Sequence, residues 1–126
     1  MKKLLVLALF AAVTFGGQSF AQAPVVPKYE YMQVTTIESL VAGGLGRSRM
    51  ISTDPNGKLQ EIPMENFFSM GGINFGNVRN NDKIITDKIN DLANQGWEVA
   101  QISTGATDDS GKGIFITRYL LKRPKQ

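Results

Sequence analysis

The chain has no cysteine and no histidine among its 126 residues. These absences exclude a Ser-His-Asp triad, a thiol nucleophile and any zinc site built from histidine or cysteine. They also exclude a disulfide framework, so packing alone must hold the fold. Charge of one sign is scarce as well. The formal net charge is +3, and Lys2 and Lys3 at the extreme N-terminus supply two of the 14 basic residues. Without them 12 basic residues face 11 acidic ones, a balance that gives no support for a nucleic-acid partner. Long apolar runs are limited to one, Leu4 to Phe15.

That run, with Lys2 and Lys3 before it and the small or polar stretch Gly16 to Ala23 after it, reads as a leader for export. It is too short for a span of about 20 residues, and no cysteine follows to carry a lipid. Cleavage is expected after Ala21 (residues 1–21 being the signal peptide) rather than after Ala23, because Pro24 would follow the second cut. The expected product is exported, periplasmic or secreted, with no transmembrane segment left. The remaining 105 residues fit one domain with a single core.

Residues 22–28 contain Pro24 and Pro27 and read as an extended lead-in to a domain over 29–126. "YEYMQVTTIES" (Tyr29 to Ser39) is aromatic and β-branched and predicts a strand. Arg47 to Thr53 and Lys58 to Met64 predict two more, joined by the turn "DPNG". Asp82 to Gln95 predicts an amphipathic helix with Asn81 as N-cap and Gly96 as left-handed stop. Ile85, Ile89 and Leu92 form its apolar stripe, widened by Ile84 and Ala93. Trp97 to Ser103 and Ile114 to Arg123 predict a hairpin across the polar loop "TGATDDSGKG", with Glu98 facing Arg118. The fold class is α+β: an antiparallel sheet of four to five strands with one main helix on one face.

Candidate chemistry is thin. "GGLGRS" lacks the spacing of a phosphate-binding loop and precedes a strand, so it reads as a turn. "STDPNG" resembles the start of a calcium loop, but Pro63 stands where the closing glutamate belongs. No metal or other cofactor is expected, and no enzymatic activity. No pair of acids sits in a setting that obviously shifts a pKa. Arg118, Lys122 and Arg123 are a possible contact for anionic groups, against a plain charged sheet edge. Phe67, Phe68, Met70, Ile73 and Phe75 lie among glycines with no clean period. They read either as a lid over the second sheet face or as an exposed interaction patch. Gly96 and Trp97 read as structural: a helix stop and a buried ring where helix meets sheet.

Three short motifs carry a resemblance: Tyr29-Glu30-Tyr31, Gln95-Gly96-Trp97-Glu98 and Lys122-Arg123-Pro124. Their order resembles the small bacterial domain family of unknown function numbered 4177, with residues 40 to 80 as a departure from its shorter pattern. The resemblance implies a small α+β fold, no established activity and no functional residues to transfer. The function expected from all this is a non-enzymatic module that binds an unknown protein partner or itself as a homo-oligomer. The alternative is a domain binding a small ligand, a glycan or an anionic surface.

Overall fold

The computed structural model describes residues 28–54, 56–109 and 112–125. The expected leader, the lead-in up to residue 27 and the tip of the last hairpin lie outside these. Two long strands form the middle of the molecule: β1 (Tyr29–Val41) and β7 (Lys112–Pro124), paired antiparallel from Tyr29↔Pro124 to Val41↔Lys112. β2 (Ser48–Thr53) and β3 (Leu59–Met64) add on one side and β6 (Glu98–Asp109) on the other, giving the order β3-β2-β1-β7-β6, all antiparallel. A two-stranded hairpin, β4 (Phe68–Ser69) and β5 (Gly72–Ile73), stands apart from that sheet. The expected α+β class, with five strands and one main helix, is the fold found.

Asp54 builds the β2–β3 turn by accepting the backbone N–H groups of Asn56 and Lys58 on its carboxylate, both at 2.9 Å. The last hairpin is longer than its glycine-rich loop suggested. Thr104 to Asp109 and Lys112 to Gly113 are strand, because the ladder continues to Asp109↔Lys112. One irregularity between Val99 and Gln101 shifts the register, so Glu98 stands opposite Lys122 and Arg118 opposite Ser103. The expected Glu98–Arg118 pair is therefore not formed.

The helix α1 spans Phe75–Ala93 and starts seven residues before the expected Asp82. Its N-cap is Asn74, whose side chain accepts from the N–H groups of Gly76 and Asn77. Asn81, expected as the cap, lies inside the helix and is fully buried. The apolar period begins only at Ile84 because the first two turns face the 65–69 segment through amide hydrogen bonds. Asn77 Nδ2 donates to the Asn66 carbonyl at 2.8 Å, and Asn80 Nδ2 to Glu65 Oε2 at 3.1 Å. Asn81 pairs with both backbone groups of Glu65 at 2.8 Å, accepting from its N–H and donating to its C=O.

The other helix end follows the expected chemistry. Gly96 has φ 83°, its N–H donates to the Ala93 carbonyl, and the Trp97 N–H donates to the Leu92 carbonyl at 3.1 Å. This is the paired 5→2 and 6→1 pattern that closes a helix on a left-handed residue, with Leu92 and Trp97 brought into apolar contact. Trp97 belongs to this exit, and the strand begins one residue later, at Glu98.

The core collects Met32 and Val34 of β1, Met50 of β2, Met64 of β3, Leu121 of β7, Leu92 of α1 and Trp97. Ile62, Ile84, Ile85, Ile89 and Tyr119 pack against it, whereas Ala93 is exposed. No described residue of β6 takes part. The reason is width. Five strands about 4.8 Å apart span roughly 19 Å, and a helix about 10 Å across covers little more than half. α1 sits toward β3, so the β6 side of the same face stays bare.

Candidate functional site

The three motifs at Tyr29, Gln95 and Lys122 meet at one end of the sheet. Glu30 and Arg123 are register partners on the helix-covered face and form an ion pair. The Arg123 guanidinium lies 4.5 Å from the centre of the Trp97 ring and donates to the Gln95 carbonyl at 3.2 Å. Arg123 thus clamps the helix exit to the sheet through a cation–π contact and two polar ones. Lys122 points to the opposite face, 5.0 Å from the Tyr29 ring centre, and Arg118 is exposed on that same face. The three basic residues therefore do not form one patch.

Phe67 and Phe68 lie on the helix-covered face, not on the second one. The Phe67 ring is 6.3 Å from that of Phe115, and Phe115 alternates with Tyr119 and Leu121 of the core side. The lid over the second face is thus not made. That face carries Tyr31, Ile37, Ile51, Ile116 and Leu120 with no described element packed across it. The rest of the phenylalanine-rich segment projects outward: Met70 at the hairpin turn is 96% exposed, Phe75 66% and Ile73 55%.

Between hairpin and sheet lies an open apolar cleft of about 610 Å³. Leu40, Gly113 and Phe115 belong to the central strands, Ala42 and Phe68 to one wall, Ala106 and Thr107 of β6 to the other. A Cβ on Gly113 would come within 3.0 Å of Leu40, so glycine there lets the Leu40 side chain lie close across β7. The cleft exists because β2 pairs only with Val34 to Ile37 of β1 and leaves the far end of the sheet to the small hairpin. Thr107 is the one polar residue among these, and its pairing with Ile114 turns its side chain to the other face, so the cleft suits apolar groups rather than charged ones. Beside it every side chain from Glu98 to Thr107 is exposed, including Val99 (40%) and Ile102 (56%) on the helix side. Cleft and strand form one continuous surface through Ala106 and Thr107.

A second cluster lies under α1. Burial raises the Glu38 carboxyl above its ordinary value; a 3.4 Å hydrogen bond from Asn81 opposes this and the negative charge of Asp82 adds to it. The Tyr119 hydroxyl is also pushed up, by burial and then by Glu38 and Asp82. Sequence reading missed this pairing because Glu38 and Asp82 are far apart in the chain. Neither lines the cleft. The consequence is a stability effect with a definite sign. The folded state holds the Glu38 proton more tightly than the unfolded state, so this contribution is full below the ordinary value of 4.5 and is lost as pH rises through the raised one. Glu38→Gln should flatten the decline of melting temperature across that window; an unchanged pH profile would refute the assignment.

Asparagine is the signal that sequence reading passed over. Asn77, Asn80 and Asn81 fall at i, i+3 and i+4, one helical face, and their partners are the backbone and side chain of residues 65 and 66. No helix among the described residues is long and apolar enough to cross a membrane. Comparison of the chain with protein-family models, with curated proteins and with solved structures finds no match.

Proposed function

We propose that this chain is a non-enzymatic, exported module that associates with copies of itself through the β6 side of its sheet. The observation that carries the reading is a twelve-residue outer strand absent from the core and exposed along its described side chains, beside an apolar cleft. Surfaces of this kind are kept covered in most monomeric proteins. Export is supported by the leader read at Lys2, Lys3 and Leu4 to Phe15. The missing histidine and cysteine support a role without catalysis.

Light scattering behind a sizing column tests the reading. A dimer that dissociates on dilution is expected. Ile102→Lys should weaken it by about tenfold or more, ~1.4 kcal/mol, without lowering the melting temperature of the monomer. A chain that stays monomeric at every concentration would remove the proposal. The cleft favours a second reading, binding of a small neutral apolar ligand. A thermal-shift screen separates the two, because a bound ligand raises the melting temperature and self-association alone leaves the screen flat.

A further inference from the structure

We infer that two copies join by antiparallel pairing of their β6 strands about a two-fold axis normal to the sheet, giving one continuous ten-stranded sheet. The inference rests on the self-association proposed above and names its geometry.

The two edges of the sheet are built differently. β3 is six residues long, carries Pro63 with no N–H to offer, and projects Glu61, which is ion-paired to Arg49 at 2.6 Å. Each feature blunts an edge against further pairing. β6 is twice as long and has no proline, and its charged residues stand only at its ends, Glu98 before and Asp108 and Asp109 after an uncharged middle, "VAQISTGAT". Its one irregularity, between Val99 and Gln101, leaves Gln101 to Asp109 in unbroken register. Its outer backbone groups therefore form a regular row of donors and acceptors.

A second copy of this chain is the occupant that fits. An antiparallel strand is self-complementary under a two-fold axis: donors meet acceptors in both halves without any other sequence being supplied. Such an axis sets both helices on the same side of the joined sheet. Each copy's exposed Val99 and Ile102 then lie beside its mate's β6 and lose part of their exposure. Val99 to Thr107 carries no charged residue, so two copies pair over that stretch without like charges meeting, while Glu98 at one end and Asp108 and Asp109 at the other confine the pairing to it. Pairing of one strand lies at the small end of stable interfaces, so the dimer should come and go with concentration.

The absence of cysteine makes the test clean, since a single introduced thiol can cross-link only to its own counterpart. Gln101→Cys, Ser103→Cys, Thr104→Cys and Gly105→Cys are compared under mild oxidation, with Leu59→Cys on β3 as the control. All five positions are exposed, and a Cβ at Gly105 meets nothing within 4 Å. A disulfide needs Cα atoms about 4.4–6.8 Å apart. Each step away from the axis separates the two thiols by roughly 6.8 Å along the strands. One or two adjacent β6 positions should therefore cross-link efficiently, the others and Leu59→Cys poorly. A dimer by light scattering with flat or β3-dominated cross-linking overturns the β6 geometry while leaving self-association intact. A monomer throughout, with no cross-linking, overturns both.

Discussion

Trp97→Ala should cost about 3–5 kcal/mol, enough to leave much of so small a domain unfolded near physiological temperature. The indole is buried, packs with Leu92 at the helix exit, and lies under the Arg123 guanidinium. Truncation empties the junction of helix and sheet and strips Arg123 of its stacking partner, leaving the Glu30 ion pair at a partly exposed site where it contributes little. Trp97→Phe separates ring packing from hydrogen bonding. The indole N–H has no hydrogen-bond partner among the described residues, so phenylalanine forfeits volume and some cation–π attraction but no hydrogen bond. Urea unfolding should place Trp97→Phe within about 2 kcal/mol of the native chain, nearer to it than to Trp97→Ala. Equal losses for the two variants would contradict a packing role.

Asn81→Leu is expected to be nearly as damaging, about 2–4 kcal/mol, although leucine is the better helix former and similar in size. Asn81 is fully buried, and its amide serves both the N–H and the C=O of Glu65, as a neighbouring strand would. Leucine would strip both backbone groups of their partner in a part-buried setting where its own side chain hinders water from replacing the amide. Asn81→Asp should fare no better: it keeps an acceptor for the Glu65 N–H but loses the donor and adds charge beside Glu38 and Asp82. A thermal melt followed by helix circular dichroism checks both. A leucine variant as stable as the native chain would show that the 65–69 segment needs no tether.

The contrast between these residues explains what the sequence made legible. Gly96 and Trp97 could be read because a helix stop is local: an apolar stripe ends, a glycine follows, and a large ring comes next. The start of the helix could not, since its first two turns are held by amides whose partners, Glu65 and Asn66, lie 11 to 16 residues away. Period-based reading looks for apolar contact and finds none there. The phenylalanine-rich segment was legible as unusual but not as to place. Phe67 and Phe68 share the helix's face because β2 stops short and leaves room at the far end of the sheet. Val99 and Ile102 fall in the strand expected over Trp97 to Ser103; their exposure follows from one helix being narrower than five strands, a fact of assembly that no window of residues contains.

Hydrogen exchange of the backbone, compared between dilute and concentrated protein, tests the central claim most directly. If the β6 side is where the chain meets its own copy, amides within Glu98 to Thr107 should gain protection on concentration while those of Leu59 to Met64 stay unchanged. Concentration-independent exchange at both edges, or protection gained at β3 instead, would contradict it.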